Sequence, residues 1–217
     1  MRSIVLVQHC QSEHHVNGIA GGWTDTPLTT LVREQASCVA ARLEREIGSE
    51  PIVLYCSDLK RSRQTAEIIG QVVRVEPQPV KALRVFNTGI AAWKTKEWAD
   101  ANAAPRVSEG RGLDRQPFPE AETERTFYER VAECMEDLYA CQLSRMVVVS
   151  HGGTSNAIIS WWLRLGVQRY DLVDFRVSPG GITVLGETSL RQRSLERLND
   201  LSRLQQAGLA PVPSMAG

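Results

Sequence analysis

Residues 145–165 read RMVVVSHGGTSNAIISWWLRL. The first part, Arg145–Ser150, is rich in valine and has the length of a strand that is buried inside a sheet. The second part, Gly152–Leu165, begins at two glycines and continues with the apolar spacing of a helix packed on a sheet. A buried strand that leads directly into a helix is typical of α/β folds with parallel sheets.

The same alternation of strands and helices continues along most of the chain. Predicted strands are Ser3–Gln8, Pro51–Cys56, a short region at Val72–Val75 and Val80–Leu83, a hairpin of Asp174–Val177 with Ile182–Gly186, and an edge strand at Ser194–Leu198. Predicted helices are 28–47, 58–69 with a stop at Gly70, 95–103 and 122–143. The expected fold is a three-layer α/β sandwich, with a mostly parallel central sheet flanked by helices.

The length of 217 residues suits one domain, which we place at residues 1–203. Residues 86–121 are rich in proline and glycine around one predicted helix, and we interpret them as a small helical and loop insertion over one end of the sheet. Residues 204–217 are polar and contain proline, which predicts a flexible tail.

Charge and cysteine usage narrow the function classes. The chain has 25 Lys and Arg against 25 Asp and Glu, and this neutrality argues against nucleic acid or an anionic membrane as a partner. No apolar run reaches the length of a membrane span. The five scattered cysteines suit reduced thiols, so the expected location is cytoplasmic. The oligomeric state stays open, with a homodimer among the alternatives.

Two of the four histidines follow predicted strands directly. His9 comes after Ser3–Gln8 and His151 comes after Arg145–Ser150. Ligands of open parallel sheets bind outside the carboxyl ends of the strands, and the helix N-terminus after His151 favours an anion. Arg61 stands near the start of the helix that follows the second strand. This arrangement predicts a phosphate-sized site where one imidazole attacks phosphorus and the other stabilises charge on oxygen.

Several blocks of the sequence carry a family resemblance. They read QHCQSE at 8–13, NG at 17–18, GWTDTPLT at 22–29, SDLKRSRQTA at 57–66 and SHGGT at 150–154. In this order they resemble the histidine phosphatase superfamily, the phosphoglycerate-mutase-like clan. The resemblance implies a phosphomonoester hydrolase that works through a phosphohistidine on a small phosphorylated metabolite, without a metal or another cofactor.

The resemblance also implies roles for individual residues. His9 is the expected nucleophile, and Arg61 and His151 are expected to bind the phosphoryl oxygens. The expected substrate-binding residues are Gln8, Ser12, His15, Gly21, Gly22 and Gly152.

This chain departs from the family pattern at three chemical positions. Gln8-His9-Cys10 replaces Arg-His-Gly, and glutamine lacks the charge and the fork geometry of a guanidinium. His15 replaces an asparagine. Val85 replaces the glutamate that donates a proton to the leaving oxygen, a loss worth roughly 10²–10⁴ in rate for alkyl phosphates and little for phenolic ones.

These departures leave alternatives open. Glu122 and Glu97 are candidate proton donors, although a carboxylate at the position of Glu122 also complements a helix dipole. A member that binds a phosphorylated ligand without turnover is the second hypothesis for the function, and a phosphoglycerate-type mutase is the third. A zinc site at His9, Cys10, His14 and His15 matches no standard spacing, so we predict no metal.

Overall fold

The computed structural model describes residues 2–29, 32–141 and 145–210, and it describes the backbone but not the side chain of His15. Its strands are β1 (Ser3–Gln8), β2 (Ile52–Cys56), β3 (Gln78–Pro79), β4 (Arg145–Ser150), β5 (Ile182–Glu187) and β6 (Arg193–Asp200). They form one six-stranded sheet in the order β3-β2-β4-β1-β5-β6. The β3-β2, β2-β4 and β4-β1 pairs are parallel, and β5 runs antiparallel to both of its neighbours.

Helices cover both faces of this sheet. They are α1 (Glu13–Val16), α2 (Val32–Ile47), α3 (Lys60–Val73), α4 (Lys96–Asn102), α5 (Glu124–Cys141), α6 (Gly152–Trp162), α7 (Gly166–Tyr170) and α8 (Ser202–Gln206). Buried side chains of α2, α3 and α8 pack on one face, and those of α5, α6 and α7 pack on the other. The predicted three-layer sandwich is confirmed.

The central strands form two cores by simple alternation. On β1, Ile4 and Leu6 face the helices of one layer, while Val5 and Val7 face those of the other. All four side chains are almost completely buried. A strand buried on both faces reads as a continuous apolar run, which explains why β1 and β4 were recognisable without a polar alternation.

The region after the second predicted helix differs from the prediction. The prediction of strand at Val72–Val75 and Val80–Leu83 is wrong, since α3 continues through Gly70 to Val73 and the short strand that pairs with β2 is Gln78–Pro79. A Cβ at Gly70 would lie 2.5 Å from the carbonyl oxygen of Val75, which donates its own N–H to Gly70. The glycine therefore allows the chain to turn back closely and does not stop the helix.

The predicted hairpin is also placed differently. Residues 174–177 form no strand, because Phe175 donates its N–H to Asn156 of α6 instead of to a sheet neighbour. The hairpin is formed by β5 and β6. The turn before β5 contacts the end of β1, where Gly180 donates to Gln8 and Gln8 donates to Gly181. This fixes the backbone immediately before His9.

The insertion at 86–121 packs on the loop that precedes the second helix. Ala20 donates its N–H to Lys94, and Trp93 donates its N–H to Oγ1 of Thr24. A Cβ at Gly22, whose φ is +63°, would collide with Thr88 of the insertion. Contacts with the insertion therefore hold the backbone of residues 20–24 in place.

The C-terminal segment departs from the predicted tail at 204–217. α8 carries Leu204, which is 1% exposed, into the core beside α2, and Gln35 donates to the carbonyl of Leu209. Residues 204–210 are thus held on the domain, and residues 211–217 lie outside the described part of the chain. No helix in the described ranges combines the length and the apolar character that crossing a bilayer requires.

Candidate active site

His9 stands one residue beyond the end of β1. Its backbone N–H donates to the carbonyl of Ser150 at 2.8 Å, so β4 holds its position. Its Nδ1 lies 2.7 Å from the carbonyl oxygen of Cys10. Because a carbonyl oxygen only accepts hydrogen bonds, the ring proton must lie on Nδ1 and the lone pair on Nε2. The side chain is 3% exposed and presents a nucleophilic nitrogen from a fixed ring.

Arg61 faces that lone pair from the first turn of α3. Its Nε donates to Nε2 of His9 at 3.2 Å. The two remaining nitrogens donate to loop carbonyls, with 2.6 Å to Thr24 and 2.8 Å to Gly22. Burial lowers the pKa of Arg61 to about 10, which leaves it a cation at neutral pH. A charged guanidinium is thus fixed beside Nε2 of His9.

His151 lies opposite, at the N-cap of α6. Its ring centroid is 5.0 Å from that of His9, and its Nε2 lies 2.9 Å from Oγ of Ser57. Its Nδ1 is buried and has no hydrogen-bond partner among the described residues. Burial, and after it the charge of Arg61, holds the pKa of His151 well below its ordinary 6.5. When Ser57 donates to Nε2, Nδ1 of His151 carries the ring proton and is a hydrogen-bond donor.

We expect the buried neutral His151 to make stability fall in mild acid. The unfolded chain takes up a proton near pH 6.5 and the folded chain does so only at lower pH, so nothing is lost above 6.5. Below that value the free energy of unfolding should drop by up to about 1.4 kcal/mol per pH unit. Urea unfolding between about pH 7.5 and 5 should show a shallower decline for His151→Asn. Equal slopes in the two proteins would contradict this assignment.

The N-terminus of α6 and Gln8 complete the ring of polar groups. The first N–H groups of a helix have no partner within the helix, and α6 begins at Gly152, directly after His151. A Cβ at Gly152 would lie 3.3 Å from Oε1 of Gln8, so the glycine lets this amide approach the helix end. Oε1 is buried without a hydrogen-bond partner among the described residues. Rotating the amide would direct its N–H groups to an anion instead.

The remaining residues predicted to bind substrate are Ser12, His15, Gly21 and Gly22, and those that the structure describes contact Arg61 or His14. The carbonyl of Gly22 holds Arg61, as described above. Ser12 is fully buried and its Oγ lies 2.9 Å from Nδ1 of His14. A Cβ at Gly21 would lie 3.5 Å from Nε2 of the same His14. The side chain of His15 is outside the described part of the structure.

His14 is the site residue that sequence reasoning missed. Its ring centroid lies 6.3 Å from that of His9, and the side chain is 7% exposed. In the sequence, His14 stood out only as a candidate zinc ligand, and its spacing from the other candidates matches no standard zinc site. The contacts of its Nδ1 with Ser12 and Thr26, which hold the ring near His9, become visible only in the folded structure.

The two candidate proton donors, Glu122 and Glu97, differ in their surroundings: Glu122 is hydrogen-bonded to neighbouring residues, whereas Glu97 is exposed to solvent. Glu122 accepts two hydrogen bonds from Arg130, at 2.7 and 2.8 Å, and a third from the backbone of Asn87. It precedes the first turn of α5, which begins at Glu124. Glu97 is exposed on α4. Val85 offers only an apolar side chain, near Gly153.

Cys10 is a buried side chain that packs in a small apolar cluster with Val32 and Ala36. It is completely buried, its N–H donates to Oγ1 of Thr65, and burial raises the pKa of its thiol to about 12. Its φ is not positive, so the cysteine fits without backbone strain. Within the described ranges, no group of three or more His, Cys, Asp or Glu is arranged to hold a metal ion.

The fold is that of an α/β protein in which two imidazoles, His9 and His151, and the guanidinium of Arg61 lie close together beyond the carboxyl ends of parallel strands. The chain belongs to the histidine phosphatase superfamily (branch 1), whose sequence profile matches residues 4–201.

Individual relatives agree with this membership. A candidate phosphoserine phosphatase of Hydrogenobacter thermophilus, phosphoserine phosphatase 2, is 28% identical over 212 residues, which cover 95% of this chain and 99% of that protein. The phosphoglycerate mutase-like protein AT74 of Arabidopsis thaliana is 27% identical over 229 residues, covering 93% and 67%. A mycobacterial glucosyl-3-phosphoglycerate phosphatase shares the fold, with a TM-score of 0.77 at 23% identity over 92% of this chain and 99% of that one.

Proposed function

We propose that this protein is a phosphomonoester hydrolase that transfers a phosphoryl group to His9 and then to water. The observation that carries the proposal is the bond of His9 Nδ1 to the Cys10 carbonyl, which leaves the Nε2 lone pair facing Arg61. Family membership and the names of the relatives support a small phosphorylated metabolite as substrate. No metal or organic cofactor is part of the proposed chemistry.

In the first step, Nε2 of His9 forms a bond to phosphorus while the bond from phosphorus to the ester oxygen breaks. Negative charge on the phosphoryl oxygens is stabilised by Arg61, by the Nδ1 proton of His151 and by the N–H groups at the start of α6. These donors are fixed before the substrate binds, because loop carbonyls hold Arg61 and Ser57 holds His151. They therefore need little rearrangement as the charge develops.

In the second step, water attacks phosphorus and the bond to His9 breaks, which releases inorganic phosphate and restores the imidazole. The same donors stabilise the second transition state, since the phosphoryl group occupies the same place. Gln8 contributes an uncharged amide where an arginine would contribute a fixed charge, so we expect weaker catalysis than the family pattern would give.

The test is hydrolysis of p-nitrophenyl phosphate by the purified protein in the presence of EDTA. Turnover that EDTA does not reduce is the expected result. Calorimetric binding of the ester without any turnover would favour the second hypothesis, a protein that binds a phosphorylated ligand. Loss of turnover on chelation would overturn the expectation of chemistry without a metal.

We expect Gln8→Arg to increase kcat/KM for p-nitrophenyl phosphate by about 10-fold or more, because a charged donor replaces a neutral amide beside the phosphoryl group. The matched control is Gln71→Arg, which adds the same charge at an exposed position of α3. An equal increase of kcat/KM in both variants would show that the added net charge, and not the position of residue 8, causes the effect. No change in Gln8→Arg would contradict the position given to residue 8.

A further inference from the structure

Trp23 has no role in the chemistry described so far, yet it stands between the two residues whose carbonyls hold Arg61. The guanidinium of Arg61 donates to the carbonyl of Gly22 at 2.8 Å and to that of Thr24 at 2.6 Å. Both acceptors belong to the residues directly adjacent to Trp23 in the chain. A contact that fixes Trp23 therefore also fixes the two carbonyls that orient Arg61 beside Nε2 of His9.

The indole of Trp23 is anchored at its N–H and at its ring face. Its Nε1–H donates to the carbonyl of Val85 at 2.8 Å. The guanidinium of Arg84 lies over the ring, 4.8 Å from the centroid, a distance at which a cation and an aromatic ring attract each other. Two hydrogen bonds to Asp58, at 2.6 and 2.7 Å, hold that guanidinium in turn. The half-buried side chain is thus held in one place.

The carbonyl that accepts the indole N–H belongs to residues 82–85, a segment bound to the end of β4 and the start of α6. Oγ of Ser150, the last residue of β4, donates to the second carbonyl of the segment at 2.7 Å. Oγ1 of Thr154, in the first turn of α6, donates to the third carbonyl at 3.2 Å. His151 lies between these two donors in the chain. The segment and His151 are therefore held by the same junction.

Arg130 of α5 holds the same segment from another side. Its guanidinium donates to the carbonyls of Ala82 at 2.7 Å, Arg84 at 3.1 Å and Val85 at 3.4 Å. Two further hydrogen bonds, at 2.7 and 2.8 Å, join it to the carboxylate of Glu122. Each of the four carbonyls of the segment thus accepts a hydrogen bond from a side chain. The indole N–H is consequently bound to an acceptor that is itself fixed.

The hydrogen bond from Trp23 to Val85 joins two parts of the candidate active site. One part is Arg61 with the loop carbonyls that hold it, and the other is His151 with α6 and residues 82–85. Donors that stabilise a phosphoryl group must keep a fixed spacing, since a displacement of about 1 Å can cost as much as 10²-fold in rate. A bond between the two parts fixes this spacing before the substrate binds.

We propose that Trp23 is a positioning residue in the hydrolysis proposed above, on which this inference rests. Its indole N–H, bound to Val85, sets where the guanidinium of Arg61 lies relative to His151. Trp23 acts through Arg61 and takes no part itself in the transfer of the phosphoryl group. The role therefore requires the N–H, whereas the rest of the ring serves the packing against Arg84.

Trp23→Phe isolates this bond, because it removes the N–H and keeps an aromatic ring under Arg84. Arg61 keeps its charge and its two carbonyl acceptors, so KM for p-nitrophenyl phosphate should stay within about 3-fold of the wild-type value. The alignment with charge that develops in the transition state is lost, so kcat should fall by about 10-fold or more. A rise in KM with kcat unchanged, or no change in either, would overturn the inference.

Trp162→Phe serves as the matched control, because it removes the same kind of bond at the opposite end of α6 from His151. Nε1 of Trp162 donates to the backbone carbonyl of Ser194 at 3.0 Å, and the side chain is completely buried. This variant should lose at least as much stability in urea as Trp23→Phe and yet keep kcat within about 2-fold. An equal loss of kcat in the two variants would assign the effect to stability and overturn the inference.

A double-mutant cycle with Arg61→Lys tests whether Trp23 acts through Arg61. Effects of two changes that act through one group do not add. In the Arg61→Lys background, Trp23→Phe should therefore lower kcat by less than about 2-fold. A second loss of full size in the double variant would contradict the positioning role.

Binding of vanadate and of inorganic phosphate provides a measurement that needs no turnover. Vanadate bonded to a nucleophile takes the five-coordinate geometry of phosphoryl transfer, so its affinity reports alignment, whereas phosphate reports ground-state attraction. Trp23→Phe should weaken vanadate binding by about 10-fold and phosphate binding by less than about 3-fold. Equal weakening of both anions, or of neither, would overturn the inference. A wild type that binds vanadate but hydrolyses no ester would refute the hydrolase function alone, and the two affinities would then decide the role of Trp23.

Discussion

His9→Asn should lower turnover of p-nitrophenyl phosphate by about 10⁴-fold, because it removes the nucleophile. Asparagine can keep the hydrogen bond that Nδ1 donates to the Cys10 carbonyl, since its amide N–H₂ lies near the same place. The variant should therefore fold like the wild type. Initial rates, together with thermal unfolding of both proteins, measure the two effects separately.

The same variant should still bind an anion. Arg61, His151 and the start of α6 remain, so inorganic phosphate or vanadate should bind within a few-fold of the wild-type affinity. Turnover above about a tenth of the wild-type rate in a correctly folded His9→Asn protein would contradict the role of His9 as nucleophile.

Arg61→Lys should reduce kcat/KM by about 10²–10³-fold, even though the positive charge is kept. The three nitrogens of the guanidinium donate to His9, Thr24 and Gly22 at the same time. The single ammonium nitrogen of lysine cannot reach all three acceptors in this geometry. Carbonyl oxygens left without a donor cost about 1–3 kcal/mol each, so the free energy of unfolding should fall as well. Steady-state kinetics and urea unfolding provide the two measurements.

The matched control is Arg63→Lys, two residues further along α3. Arg63 is exposed and pairs with Glu67 on the helix surface at 2.9 Å. An exposed pair of this kind contributes little, so activity and stability should both stay near wild type. Equal losses in the two variants would show that α3 tolerates no such change, and would remove the specific argument for Arg61.

Sequence patterns predicted the centre of the fold well and its margins poorly. β1 and β4 begin and end where expected, because central parallel strands are apolar on both faces and leave an unambiguous signature. The errors at Gly70 and at 174–177 have a different origin. There the structure depends on close contacts with Val75 and with Asn156, which no local pattern encodes.

The site was predictable to the extent that it depends on strand ends. His9, Arg61 and His151 follow three adjacent parallel strands, so their convergence follows from the topology of the sheet. The ion pair of Glu122 with Arg130 was not predictable, because Arg130 lies on the next helix and gave no motif. The position of His14 depends on contacts of its ring with Ser12 and Thr26, which form only in the folded loop.

Rapid mixing with radiolabelled aryl phosphate, followed by alkaline quench and peptide mapping, tests the central claim most directly. Phosphohistidine survives alkali, so the account predicts one labelled peptide that contains His9, formed at least as fast as turnover and absent in His9→Asn. Turnover with the label on another residue, or with no labelled protein at any time point and full activity in His9→Asn, would contradict it.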